Sequence, residues 1–286
     1  MKIALYCRQG GEQEFVRTVI DFLAGNGHEV LVHGNCPVED NRRERFFTHD
    51  DLLRQMPVDF VVSIGGDGSF IDAANLVGSL VIPMVGINTG RIGFLSGIKK
   101  DNFRECFRRL EQGNYKIEER ALLHVDSSEP LSLSHSFVLN DITVRATNAE
   151  AIDAITVWSG KQKINTYWAD GLIVATPTGS TAYSMSCGGP IIHPGCDVQI
   201  LTPIASHSLS VRPLVIPSAF PLEIEISSRT GNFSLLLDTE RIIVPDNVHI
   251  FVSKEHFYAH TVLFDQTSFY DIIREKLLWG LDKRNG

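Results

Sequence analysis

The chain has 286 residues, with 26 lysines and arginines against 34 aspartates and glutamates, a net charge of −8 and 43% hydrophobic residues. At roughly 150 residues per domain the length predicts about two domains, and the composition excludes wholesale disorder. The acidic balance excludes general affinity for nucleic-acid backbones or anionic membranes, and no apolar run approaches the roughly 20 residues of a membrane span.

In chain order, a strand is expected over 2–7, then a helix over 12–23. Phe15, Val19, Ile20, Phe22 and Leu23 share one side of that helix, and Gly25-Asn26-Gly27 stops it. A strand over 29–32 and a short helix over 51–55, ended by Pro57, come next. The almost wholly apolar DFVVSI over 59–64 reads as a strand covered on both faces. A helix over 69–77, a buried-type strand over 80–87 and a helix over 101–112 complete an alternation that predicts a parallel sheet wound with helices. From about Tyr115 the pattern turns to strands over 120–125, 136–146, 151–158, 163–168 and 171–176. Others follow over 214–216, 222–227, 233–237, 248–252 and 260–264. Only 181–186 looks helical among them, so an all-β, sandwich-like second domain is expected. A final amphipathic helix over 268–279 is expected to return to the first domain. The expected organisation is therefore an α/β N-terminal domain with a parallel Rossmann-like sheet over 1–118, completed by 265–286, and a β-rich domain over 119–264.

The cysteines, Cys7, Cys36, Cys106, Cys187 and Cys196, are odd in number and scattered, which points to reduced thiols in a cytoplasm. Met1-Lys2 leads straight into a short apolar run, which is not a signal-peptide pattern.

Two segments carry chemistry. Gly65-Gly66-Asp67-Gly68-Ser69 follows the apolar strand and opens a helix, the arrangement that brings backbone N–H groups and a helix dipole against a phosphate. Ser69 is expected to cap that helix, with Asp72 completing a capping box. Asp67 is the odd residue, because a carboxylate in a phosphate loop repels its ligand unless it binds a metal or accepts a hydrogen bond from a substrate hydroxyl. The bland alternative is a Gly-Asp-Gly turn. The second segment runs from Asp170 through Pro177 and a hydroxyl-dense loop to Tyr183-Ser184, and Gly188-Gly189-Pro190 ends it. Hydroxyls and N–H groups suit phosphate and ribose oxygens, Tyr183 offers a stacking face, and Asp170 or Asp141 can accept from a sugar or amide. A Ser/Thr-rich cap and turn is the alternative.

With Gly86-Ile87-Asn88-Thr89-Gly90-Arg91-Ile92-Gly93-Phe94-Leu95 and Leu139-Asn140-Asp141, these segments resemble the NAD kinases, in order over most of the chain. A GGDG motif alone is shared with diacylglycerol and sphingosine kinases and phosphofructokinases; the combination with N-T-G-x-x-G-F-L and T-P-T-G-S-T-A-Y-S makes the resemblance specific. The resemblance implies transfer of the γ-phosphoryl of ATP to the adenosine 2′-hydroxyl of NAD, giving NADP, with Mg²⁺ or another divalent metal accompanying ATP. It implies that Asp67 is the proton acceptor and that Gly68 lies against the same ligand. Asn140 and Asp141 would contact adenosine, and Asp170 the nicotinamide end. Thr181, Ala182, Tyr183, Ser184, Met185 and Ser186 would form the adenine- and ribose-binding turn, and Ala205 a further NAD contact. Gly65, Gly66, Gly68 and Ser69 would form the phosphate loop, joined by Arg91 unless that residue anchors its own loop by a salt bridge. No residue is assigned to a resident metal.

The resemblance also implies a homo-oligomer, a dimer or tetramer, and the acidic balance leads to the expectation of no nucleic-acid or membrane partner. Two departures stand out: Trp168, where many relatives carry a basic side chain, and Glu240, where glutamine is common. The alternatives are a GGDG-type lipid kinase and a non-catalytic NAD(P) sensor. Cys187, His193, Cys196 and His207 match no zinc-site spacing, and Arg42-Arg43-Glu44-Arg45 reads as a solvated face.

Overall fold

The computed structural model describes residues 1–10, 12–36, 45–47, 57–90, 93–147, 153–264 and 268–279. The chain divides into two compact units, Met1–Glu119 with Ala259–Gly286, and Arg120–Tyr258. The helix expected over 51–55, together with Arg42, Arg43, Glu44 and Arg91, lies outside the described residues.

The first unit begins with β1 (Lys2–Cys7), α1 (Gln13–Gly25), β2 (Glu29–His33), β3 (Arg45–Phe47) and β4 (Phe60–Ile64). Then come α2 (Asp67–Val77), β5 (Met84–Asn88), β6 (Ile98–Lys99) and α3 (Phe103–Glu111). The strands pair in parallel in the order β3-β2-β1-β4-β5-β6, with Lys2 opposite Glu29, Ile3 opposite Phe60 and Val61 opposite Met84. Helices on both faces account for the continuous burial of β1, β4 and β5. Ile3, Leu5 and Cys7 share a core cluster with Phe15, Val19 and Leu23 of α1 and with Phe103, Phe107 and Leu110 of α3. Phe103 meets Phe15 and Phe22 edge-on at 5.5 and 5.3 Å, contacts worth about 0.5–1.5 kcal/mol each beyond their buried area. On the other side α2 lays Phe70 against Gly86, where a Cβ would come 3.0 Å from that ring and 2.7 Å from the Ser96 Cα. β5 starts later than expected because residues 78–80 form a 3-10 turn and Val81 takes a left-handed φ of 57°.

From β1 the chain turns to β2 on one side and later lays β4 on the other. The carboxyl ends of β1 and β4, with Cys7 opposite Ile64, therefore flank a topological switch point, where open α/β sheets bind ligands.

The second unit takes up β7 (Lys116–Ser127) from Arg120 onward, then β8 (Phe137–Val138), β9 (Asp141–Ala146), β10 (Asp153–Ser159), β11 (Gln162–Ala169) and β12 (Gly171–Ala175). A short α4 (Tyr183–Ser186) precedes β13 (Val198–Ile204), β14 (Leu214–Pro217), β15 (Leu222–Ser227), β16 (Asn232–Leu237), β17 (Glu240–Pro245) and β18 (Ile250–Leu263). One sheet runs β11-β10-β15-β18 with β7 and β8 attached; the other is antiparallel in the order β14-β13-β12-β9-β16-β17. Alternate residues from both fill one core: Ile142, Val144, Leu172 and Val174 from the second sheet, Ile155, Val157, Ile224 and Ile226 from the first. This is the expected sandwich.

From Ala259 onward β18 belongs to the first unit, where Thr261 pairs in parallel with Met84. There α5 (Phe269–Leu277) starts at a capping box: the Asp271 N–H donates to Ser268 Oγ at 3.2 Å and the Ser268 N–H to Asp271 Oδ2 at 3.0 Å.

Candidate functional site

In the first unit β4 runs into Gly65, whose N–H donates to Ile87 O at 2.9 Å. Only glycine fits there, because φ is 144° and a Cβ would come 2.3 Å from Ser69 Oγ. α2 then begins at Asp67 with Gly66 as its N-cap and no side-chain cap. This corrects the expected Ser69–Asp72 capping box. The helix opens two residues earlier, Ser69 lies buried in its first turn, and Asp72 is drawn away by Arg8 (2.5 and 2.9 Å) and by the Tyr6 hydroxyl (3.0 Å). Burial, then the Asp72 charge, pushes the Tyr6 phenol well above its usual range, so Tyr6 stays a donor.

Asp67 is built into the next loop. Its Oδ2 accepts the Phe94 N–H at 2.6 Å, and its Oδ1 accepts those of Leu95 and Ser96 at 3.0 and 3.3 Å. Gly93 lies so close that a Cβ would fall 1.7 Å from Asp67 Oδ1. Oδ1 thus has two donors, whereas Oδ2 has one and keeps a lone pair for another. Arg8 reaches the same spot, since a Cβ on Gly68 would come 2.6 Å from its Nη1. A glycine turn, the start of a helix and a half-exposed guanidinium at a switch point form an anion-binding arrangement.

In the second unit the site elements lie on the outer face of the six-stranded sheet. Along β9, Ile142 and Val144 point into the core, so Asp141, Thr143 and Arg145 point outward. Asp238 holds the approach to that strand: its carboxylate accepts the N–H groups of Leu139 (2.7 Å), Asn140 (2.8 Å) and Asp141 (3.0 Å). Asp238 sits in the two-residue turn between β16 and β17 at φ 50°, a left-handed conformation aspartate tolerates. Asp141 is buried beside it, and desolvation, then the Asp238 charge, pushes its carboxyl up to about 7, against the pull of the Thr143 hydroxyl.

The hydroxyl-rich segment packs on the same loop. Thr176 Oγ1 donates to Leu139 O at 2.6 Å, the Thr176 N–H to Asn140 O at 2.9 Å, and the Gly179 N–H to Thr176 Oγ1 at 3.0 Å. A Cβ on Gly179 would fall 2.0 Å from Asn140 O. Most of these hydroxyls are engaged within the protein rather than offered to a ligand. Ser180 Oγ donates to Pro177 O and accepts from the Ile192 N–H, Thr181 Oγ1 donates to Thr178 O, and the buried Ser184 hydroxyl bonds that of Thr202 at 2.8 Å. The helix expected over 181–186 is a 3-10 turn (Thr178–Thr181) and one α turn, separated at Ala182, whose φ of −99° and ψ of −129° are not helical. Tyr183 is 36% exposed and shares its electrostatic surroundings with Asp141 and Arg145.

Asp170 opens into a cavity of about 320 Å³ lined by Arg145, Arg241 and Ser234 among others, with Arg241 Nε donating to Ser234 Oγ at 2.8 Å. Ala205 follows directly after Ile204, which accepts the Asp170 N–H, and takes a left-handed φ of 46°. Glu240 is engaged elsewhere, accepting the Ser134 N–H and hydroxyl at 3.0–3.1 Å, and Trp168 is exposed. His193 Nδ1 accepts the Gly195 N–H at 3.0 Å. Among the described residues Cys187, His193, Cys196 and His207 form no metal-like group.

Nothing in the motifs assigns a site role to Arg8, Asp238, Arg145 or Arg241. For Asp238 a signal existed: Asp-Thr between two apolar runs is a hairpin turn. The three arginines stand in no motif.

Comparison with known proteins gives concordant matches. Residues 12–115 match the ATP-NAD kinase N-terminal domain and residues 139–262 the ATP-NAD kinase C-terminal domain. An NAD kinase of Flavobacterium psychrophilum is 34% identical over 296 residues, covering 100% of both chains. One of Cytophaga hutchinsonii is 40% identical over 227 residues, 79% of this chain and 78% of that one. Among solved structures, yeast NADH kinase complexed with NADH matches with a TM-score of 0.88 at 21% identity, covering 100% of this chain and 89% of the other. An NAD kinase from Archaeoglobus fulgidus in complex with ATP matches with a TM-score of 0.76 at 23% identity, covering 97% and 99%. These two structures share the fold.

Proposed function

Since the chain belongs to the ATP-NAD kinase family, we propose that it transfers the γ-phosphoryl group of ATP to the 2′-hydroxyl of the adenosine ribose of NAD, giving NADP. The observation that carries this reading is the Asp67 carboxylate at the head of α2, directly after a glycine turn and held by three backbone N–H groups. The hydroxyl oxygen attacks the γ-phosphorus in line, ADP leaves, and Asp67 takes the hydroxyl proton on Oδ2, the oxygen with spare capacity. Gly65 and Ser69, whose own N–H groups go to Ile87 O and Gly66 O, shape the turn, and Gly66, Gly68 and the charge of Arg8 bind phosphate on it. ATP enters as its magnesium complex, and the ion neutralises the triphosphate.

The dinucleotide is the concern of the second unit. Asn140 and Asp141 contact adenosine. With its carboxyl pushed up to about 7, Asp141 is able to donate as well as accept near neutral pH. Tyr183 stacks on adenine, and Thr181, Ala182, Met185 and Ser186 form the turn around it. The inward-turned Ser184 sets that turn through Thr202. Asp170 accepts from the nicotinamide amide beside Ala205, and Arg145 and Arg241 face the dinucleotide's phosphates. Work in a cytoplasm as a homo-oligomer making NADP belongs to the same reading. Its support is five free cysteines and, in the second unit, exposed Leu209, Phe220 and Ile243.

The test is incubation with NAD, ATP and Mg²⁺, with NADP measured by enzymatic cycling. NADP formation is expected, and tight nucleotide binding without it overturns the reading in favour of a sensor. Asp67→Asn should lower turnover by about 10²–10⁴-fold while NAD affinity changes little. Near-normal turnover in that variant would remove Asp67 as the base.

A further inference from the structure

Leu139 and Asn140 lie between the end of β8 and the start of β9, yet every backbone N–H and C=O from Leu139 to Asp141 is engaged. Two residues supply these partners. The Asp238 carboxylate accepts the three N–H groups at 2.7, 2.8 and 3.0 Å, and the Asp238 N–H donates to Asp141 O at 3.0 Å. From the other side Thr176 donates its hydroxyl to Leu139 O at 2.6 Å and its N–H to Asn140 O at 2.9 Å. The Asn140 side chain, by contrast, is half-buried and makes no hydrogen bond among the described residues. A fixed backbone beneath an unengaged amide is a preorganised arrangement, in which binding a ligand loses little further freedom.

An aspartate at 238 is more than the hairpin needs. Its φ of 50° suits glycine better than any side chain, and its carboxylate stands against a second one, Asp141, whose ionised form it disfavours. What it offers is two acceptor oxygens and no donor, so three N–H groups are met at once. An asparagine would turn its NH₂ group toward at least one of them. Bonds to a charged oxygen are also shorter and stronger than those to an amide oxygen. An unfavourable conformation and an unfavourable charge neighbour are thus retained where they fix residues 139–141.

We propose that Asp238 is a positioning residue for the dinucleotide: from the turn between β16 and β17 it fixes the backbone of residues 139–141 and so holds the Asn140 amide and the Asp141 carboxyl in the geometry that NAD requires. The role rests on the reading in which NAD binds at Asn140 and Asp141. Wild-type chain and variants are titrated with NAD by calorimetry and assayed for NADP while NAD and ATP are varied separately, and melting curves check folding. Asp238→Gly deletes the carboxylate and keeps the left-handed turn; Asp238→Asn keeps part of the acceptor set. The Kd and KM for NAD should rise by about tenfold or more in Asp238→Gly and by less in Asp238→Asn, while kcat and the KM for ATP stay within about threefold. Asp246→Asn weakens a like acceptor in the next turn, where Asp246 Oδ2 takes the Ser228 N–H at 3.1 Å, and should lower Tm without moving the KM for NAD. An unchanged Kd for NAD in whichever Asp238 variant folds, a fall in kcat at unchanged KM for NAD, or an equal rise of that KM in Asp246→Asn would each overturn the proposal and leave the kinase reading standing. A wild-type chain that neither binds NAD nor forms NADP would remove both.

Discussion

Asp141 is 8% exposed, and the charge that acts on its carboxyl is that of another carboxylate, Asp238. Its carboxyl is pushed up to about 7 from the ordinary 3.8, so the folded protein holds this proton more tightly than the unfolded chain. The stability it contributes is full below about pH 4 and is lost as the pH rises through 7. Asp141→Asn removes that dependence. Between pH 4 and pH 8 the difference in unfolding free energy should therefore swing toward the variant, by on the order of 4 kcal/mol. Urea melts of both proteins at several pH values measure it, and a constant difference would mean that Asp141 titrates normally. The candidate residues Asp67, Asn140, Asp141 and Asp170 were legible because each sits in a motif of neighbouring residues. The distant partners around the site were not, since Asp238 meets Asp141 across 97 positions of sequence and Arg8 meets Asp72 across 64.

Among elements, the tightest approach of a described glycine to another stretch of backbone is between the turn at Gly179 and the chain at Asn140. A Cβ there would collide with backbone, 2.0 Å from Asn140 O and 2.5 Å from its carbonyl carbon, and relief would stretch the Thr176–Asn140 hydrogen bond. Gly179→Ala should cost about 1–3 kcal/mol in thermal or urea unfolding and weaken NAD binding. Gly25→Ala, where a Cβ meets nothing within 4 Å, should cost no stability. The long helices and apolar strands of the first unit were readable from periodicity, whereas β13 and β17 were not. β13 contains Pro203, which argues against a strand. It is tolerated because β14 pairs only as far as Leu201, leaving no neighbour on that side to need its missing N–H. β17 is a sheet edge with Glu240 and Arg241 in its short run, so its apolar signal is weak. The false cap at Ser69 came from reading Asp72 as a local partner when Arg8 had the stronger claim.

Over the whole molecule, the switch from helix-strand alternation to strand after strand near Tyr115 was visible in the sequence, and a parallel sheet and a sandwich follow from it. All five cysteines are free, so no cross-link stabilises either unit. Adding a reductant should leave Tm unchanged and produce no shift on a non-reducing gel. A fall in Tm would reveal a bridge.

The first unit is also discontinuous: the β18 segment that pairs with β5, and α5 after it, come from beyond residue 258. On the ribosome, residues 120–258 therefore emerge in full while the parallel sheet still lacks its final partner. The nascent N-terminal half has to wait, with the Met84 end of β5 uncovered, until the stretch beyond residue 258 has been made. That interval is when an exposed strand edge is most open to pairing with another chain.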